Sequence, residues 1–191
     1  MKKVFVLLFA VFFFASSYAQ EHLTFKGVPI DGTLDVCVAN LRKAGFLYFT
    51  KHNGVAVLYG DFAGFKNCKI GVITPKSIDI VNRITVVFYA ENNTWRNIYG
   101  TYSALKYMLT NKYGEHIECV EKFEGNSQPR DDNSRMHELR MDRCKYFTIW
   151  ETNNGIIELE LINSDYDEVV RLVYWDKANT AFVQEKAMDD L

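Results

Sequence analysis

Residues Asn93–Gly114, NTWRNIYGTYSALKYMLTNKYG, constrain this chain more than any other stretch. Trp95, Ile98, Tyr102, Leu105 and Leu109 recur at three- and four-residue spacing, which predicts a long amphipathic helix with one apolar stripe. Asn93 or Thr94 supplies the N-cap oxygen. Lys112 places a cation in the last turn, and Gly114 supplies the residue that stops the helix. Gly100 inside it costs about 1 kcal/mol relative to Ala. Strand-like sequence lies on both sides, so this helix reads as the start of the second of two similar units.

The first unit has the same order. Leu23–Ile30 reads as a short extended entry ended by Pro29 and the turn Asp31-Gly32. Thr33 then caps a helix whose buried stripe is Leu34, Cys37, Val38, Leu41 and Ala44, ending at Lys43-Ala44-Gly45. Phe46–Thr50 and Val55–Phe62 flank Asn53-Gly54, a strong hairpin signal. Lys69–Thr74 and Ile78–Tyr89 follow as strands. After the central helix, strands are expected at Glu115–Phe123 and Arg143–Glu151. Asn153-Asn154-Gly155 turns into a strand with Ile157, Leu159 and Leu161 facing inward, and Glu168–Trp175 is the last strand. Asp176–Leu191 carries a weaker helix. The expected fold is therefore α+β: two tandem helix-then-antiparallel-strands units, helices packed on one face of the sheet, plus a C-terminal helix. The two sheets either join edge to edge or pack as separate lobes.

The start of the chain has a different character. Lys2 and Lys3 precede an almost wholly apolar run from Val4 to Ala15, and Ser17-Tyr18-Ala19 offers small residues where a signal peptidase reads. The expected division is a signal peptide at 1–19, a first unit at 20–92 and a second at 93–191. The alternative is a retained anchor, although the apolar run is short for a membrane span. Removing the two lysines takes the net charge from −2 to −4. That mild acidity argues against nucleic acid, which favours a basic face. The expected localisation is periplasmic or extracellular, with no stable membrane insertion after cleavage.

An oxidising compartment makes disulfides plausible for the four cysteines, Cys37, Cys68, Cys119 and Cys144. Cys119–Cys144 is favoured because their strands flank one long loop, and Cys37–Cys68 would tie the first helix to its sheet. Such a bridge is worth roughly 3 kcal/mol in the chain-entropy model. Four buried free thiols are the alternative reading. No CxxC occurs, so neither a thioredoxin-type site nor a zinc ribbon is supported.

Catalytic chemistry has little to stand on. His116-Ile117-Glu118 resembles half of a deaminase motif, but no P-C-x-x-C follows. His22, His52 and His137 fall into no metal-ligand spacing. No G-x-S-x-G, Walker loop or dinucleotide fingerprint is present. Gly60–Gly64 (GDFAG) reads as a bulge or tight bend between strands rather than a phosphate cradle. Asp165-Tyr166-Asp167-Glu168 reads as a solvated turn. No catalytic residue, metal ligand or cofactor is assigned. Gly125–Asp142 is long and polar, and its charges Arg130, Asp131, Asp132, Arg135, Glu138 and Arg140 suit a partner surface, with disorder as the alternative. Trp95, Trp150 and Trp175 belong either to the core or to a ligand groove.

The element order and the two matching helix ends at Gly45 and Gly114 resemble the tandem units of the β-lactamase-inhibitor-protein fold. They are also similar to periplasmic PepSY-like and BamE-like modules. The entry FKGVPIDGTL, Phe25 to Leu34, resembles exported proteins of Gram-negative gut anaerobes. No site motif matches, so no functional residue carries over. The resemblance implies protein or peptide binding through a sheet surface. Three functions follow as expectations. The first is an exported, non-enzymatic binding or inhibitor-like module for a protein, peptide or envelope partner. The second is a small secreted enzyme with a scattered acidic site, Glu118 with Asp165 or Asp167. The third is a structural envelope component.

Overall fold

The structure is a computed structural model that describes residues 21–76, 78–124, 128–164 and 167–189. The expected signal peptide lies outside these residues, as do Gly125 and Asp165. The fold is α+β. A small hairpin, β1 (Thr24–Phe25) and β2 (Val28–Pro29), precedes α1 (Leu34–Lys43). Then come β3 (Leu47–His52), β4 (Val55–Phe62), β5 (Phe65–Ile73) and β6 (Arg83–Tyr89). The long helix α2 (Trp95–Tyr113) leads to β7 (Glu118–Phe123), α3 (Asp132–Arg140), β8 (Cys144–Thr152), β9 (Gly155–Ser164), β10 (Asp167–Asp176) and α4 (Lys177–Met188).

Eight strands form one continuous antiparallel sheet in the order β3-β4-β5-β6-β10-β9-β8-β7. The strands on either side of α2 meet edge to edge where β6 pairs with β10, which makes the sheet continuous. Because side chains alternate along a strand, the register defines rows across each face. One row runs Leu58, Ile70, Val86, Leu172, Leu159, Thr148 and ends on Cys119 of the edge strand β7. Every member but Cys119 is buried. A parallel row runs Ala56, Val72, Ile84, Tyr174, Ile157 and Trp150, all at most 3% exposed. These rows are the core.

The two main helices form where local sequence requires them. Thr33 and Thr94 cap α1 and α2 through their hydroxyls, and α2 buries Trp95, Ile98, Tyr102, Leu105 and Leu109. Gly114 ends α2 at φ 86°, where a side chain would be strained. Helix α1 contacts β3, β4 and β5, and α2 contacts β8, β9 and β10. The expected strand at 78–89 begins only at Arg83. Upstream of it, the Asp79 carboxylate accepts from the Leu34 amide at the start of α1, and Val81 N donates to Gly32 O. GDFAG ends β4 and turns at Ala63-Gly64, with a register shift between Gly60 and Phe62, as expected for a bulged bend.

Two expectations are corrected. Gly125–Asp142 is not simply a loop: its described part contains α3, opened by a capping box in which Asp131 and Ser134 exchange hydrogen bonds. Met136 and Leu139 anchor it in the core. Second, all four cysteines are free thiols. Cys119 lies opposite Thr148 while Cys144 lies opposite Phe123. That separates them by four positions, about 13 Å of strand, beyond the roughly 7 Å that a disulfide can span. Cys37 and Cys68 are both buried and unbridged.

At the other end of the chain, α4 is held by a polar anchor rather than an apolar stripe. Asp176 has a fully buried side chain. It accepts from the Asn179 amide at the start of α4 and from the Leu23 amide, each at 2.8 Å, and meets His22 Nδ1 at 3.1 Å. Asn179 donates onward to the carbonyls of Ile30 and Val81. The cap therefore also fastens the first described residues.

Candidate functional site

The remaining rows of the sheet carry partly exposed residues, apart from the buried Val173. One runs Val57, Gly71, Thr85, Val173 and Glu158, and its neighbour runs Lys69, Val87, Arg171 and Glu160. A third places Ile73, Arg83 and Trp175 in line. Together they line a groove of about 490 Å³ crossing β4, β5, β6, β10 and β9. Gly71 leaves its floor open, since it has no side chain there.

Its polar groups follow from register. Arg83 and Trp175 are direct cross-strand partners, so the guanidinium lies 4.6 Å from the indole centroid. Arg171 faces Glu160, and the carboxylate accepts from Nε at 2.8 Å and from Nη2 at 2.7 Å. Trp175 Nε1 donates to Glu158 at 3.4 Å. Burial pushes the Glu160 carboxyl up, against the lowering pull of Arg171. Burial, with repulsion from Arg171, lowers Arg83. Arg83 Nε is buried and lacks a hydrogen-bond partner among the described residues. A buried donor without an acceptor is costly. The groove thus offers apolar Val57, Ile73 and Val87, the Arg83 cation against Trp175 and one satisfied ion pair.

A second cavity of about 630 Å³ lies between the first turns of α2, strands β7–β8 and α3. Trp95 and Tyr99 stack there at 5.6 Å, and Tyr146 meets Trp95 edge-on at 5.3 Å. Arg96, Lys122 and Arg135 stand around it with Glu121 and Asp132.

The residues singled out in the sequence scatter. Of the polar stretch, Asp131 is the N-cap of α3, Asp132 pairs with Arg135 at 3.4 Å, and Glu138 pairs with Arg143 at 2.8 Å. Arg140 pairs with the buried Glu168. Arg130 is exposed. Most of these charges therefore hold α3 in place, and Asp132 and Arg135 also border the second cavity. Of the tryptophans, Trp95 and Trp150 are core, and only Trp175 lines the groove. The acidic pair does not converge. Glu118 aligns across the sheet with Val173, which is six residues along β10 from Asp167, about 20 Å. His116 packs its ring against Trp150. Among the described residues no three His, Cys, Asp or Glu side chains are grouped to hold a metal ion, and no helix is long and apolar enough to cross a membrane.

Sequence reasoning did not find Arg83, Arg171, Glu158 or Glu160 as a set. Alternation with inward Ile157, Leu159 and Leu161 leaves Glu158 and Glu160 facing outward, but only strand pairing brings them beside Arg171 and Arg83. No family model matches the chain, and neither does any curated protein or solved structure.

Proposed function

We propose that this chain is an exported, non-enzymatic binding module that takes a protein or peptide segment across its eight-stranded sheet. In this reading the helices cover one face and the opposite face is the working surface. The observation that carries it is the groove itself, where Arg83 against Trp175 and the Arg171–Glu160 pair stand with Val57, Ile73 and Val87. Peptide recognition needs apolar contact plus a few placed polar groups, and this face supplies both. The export half of the proposal rests on the basic start, apolar run and small-residue ending of residues 1–19.

The same reading treats α1 with β3–β6, and α2 with β7–β10, as two related units joined through β6 and β10. Such units resemble the tandem β-lactamase-inhibitor-protein-like, PepSY-like and BamE-like folds in element order. Placing the join at the centre of the sheet puts the groove across the seam, so that both units contribute to it. Arg83 and Val57 come from the first, and Arg171 and Trp175 from the second. The test is capture of one specific partner from envelope extract by the native protein, with loss of that partner in Arg83→Gln and Val57→Lys.

A further inference from the structure

The two edges of the sheet are unlike. Strand β7 closes one edge with Glu118, Glu121 and Lys122 exposed, and Lys106 of α2 pairs with Glu121 there. Charges of this kind keep an open edge from taking another strand. Strand β3 closes the other edge and is exposed at every position, which is true of no other strand of the sheet among the described residues. Its first half is apolar: Leu47 is 73% exposed, Tyr48 48% and Phe49 67%.

Register sets these side chains on both faces. Tyr48 lies opposite Leu58, so it carries the sealed row of the core out to the edge. Leu47 lies opposite Tyr59, on the face that holds the groove. The pairing with β4 shifts at Phe49, whose ring meets Tyr59 edge to face at 5.6 Å and so stands on the groove side with Leu47. Both faces of the sheet therefore end in uncovered apolar side chains on one strand, and a strand laid against β3 covers both.

We infer that β3 is an edge for self-association: a second copy of this chain pairs with it antiparallel about a two-fold axis at Tyr48, joining two eight-stranded sheets into one. In that register Tyr48 meets the partner's Tyr48 on the core side. Leu47 meets the partner's Phe49 on the groove side, twice by symmetry, and Lys51 falls opposite the partner's Gly45. An axis at Lys51 would set lysine against lysine, and one between Phe49 and Thr50 would set Leu47 against His52 and Tyr48 against Lys51. A second copy also fits better than a loose strand of another protein, because its β3 is already ordered against β4 and pairing costs no ordering of the chain. Covered aromatic side chains contribute about 150–250 Å² each, so at these exposures the three residues offer roughly 350 Å² per copy. Two copies with their strand backbones then reach about 1,200 Å², the lower end of specific interfaces, and a roughly micromolar dimer. A contact between β3 and β7 would instead set Leu47 and Phe49 against Glu118, Glu121 and Lys122, and it would not close. With the axis normal to the sheet, both copies present their groove faces on the same side.

The test is sedimentation equilibrium of the native protein from about 1 to about 200 μM, with urea midpoints to show that each variant is folded. The expected result is a passage from monomer to dimer across that range. Phe49→Lys and Leu47→Lys each weaken it by about tenfold or more, whereas Tyr107→Lys, at a 70% exposed site on α2, leaves it unchanged. Mild oxidation links Tyr48→Cys into a covalent dimer, since directly opposed residues lie within disulfide reach, and does not link Lys51→Cys, about 20 Å from its own copy. A native protein that stays monomeric throughout overturns the inference, whether or not its β3 takes a strand of another protein. So does a dimer of unchanged strength in folded Phe49→Lys and Leu47→Lys, or equal cross-linking through Lys51→Cys.

Discussion

At the scale of single residues, the polar groups that matter are those whose burial leaves them no second choice. Asp176 is the clearest. Its carboxylate has no solvent contact, caps α4, and accepts from the Leu23 amide. Asp176→Ala leaves two buried donors without an acceptor and removes the cap, so it is expected to cost about 2–4 kcal/mol. Urea unfolding measures this, and Asp176→Asn, which retains one acceptor oxygen, should recover part of the loss. The buried thiols set an alkaline limit. Burial pushes Cys37 up to about 11 from an ordinary value of 9.0. A folded-state value above the unfolded one gives stability that is present at lower pH and lost as pH rises from 9 toward 11. In that window the unfolded thiol is ionised and the folded one is not. The decline from Cys37 alone approaches about 1 kcal/mol per pH unit. Urea midpoints taken between pH 8.5 and 10.5 should fall, and Cys37→Ala should flatten the fall.

At the scale of elements, what could be read in the sequence was what local sequence determines. The stripe Trp95–Ile98–Tyr102–Leu105–Leu109 and the Thr94 and Gly114 ends define α2 within one stretch of chain, and the structure has that helix at Trp95–Tyr113. The same holds for the Asn53-Gly54 turn and for α1, except that Ala44, expected in the buried stripe, is its exposed C-cap. Helix α3 was hidden because only Met136 and Leu139 of it face the core, and the rest reads as a polar loop. The one local signal was Asp131 followed three residues later by Ser134, a capping pattern with a serine where Glu or Gln is usual. The disulfide expectation failed for a different reason. Cys119 and Cys144 do sit on paired neighbouring strands, but the pairing register holds them four positions apart. Register of this kind is fixed by the whole sheet, not by the spacing of two cysteines. Because α3 hangs on so few contacts, Leu139→Ala is expected to cost about 2–4 kcal/mol. Hydrogen exchange should show the loss concentrated in residues 132–140, ahead of α2. Equal loss of protection in α2 would mean that α3 is not a separable element.

At the scale of the whole molecule, the β6–β10 seam decides what the protein can present. Eight strands share one sheet, so its rows run unbroken from β4 to β8. One set of rows is sealed and includes Trp150 and Tyr102 packing. The other set brings Arg83, Trp175, Arg171 and Glu160 from distant sequence positions into one groove. None of these neighbours is within reach of a sequence argument, because each depends on which strand pairs with which. The alternation of Ile157, Glu158, Leu159, Glu160 and Leu161 told which side chains face away from the core, and the structure agrees. The acidic site imagined at Glu118 and Asp167 is pulled apart by the same pairing. Meanwhile the charges of the stretch before β8 are largely spent on α3 itself. The proposal accordingly places the working surface on the sheet.

That claim is tested most directly by comparing capture on the native protein, on Val57→Lys in the groove, and on Val36→Lys on the exposed side of α1. Val36 is 53% exposed and serves as the control for an added surface charge. All three proteins should unfold at closely similar urea concentrations. The account predicts one partner retained equally by the native protein and Val36→Lys and lost by Val57→Lys. Retention by Val57→Lys as strong as by the native protein, or no specific partner at all, would contradict it.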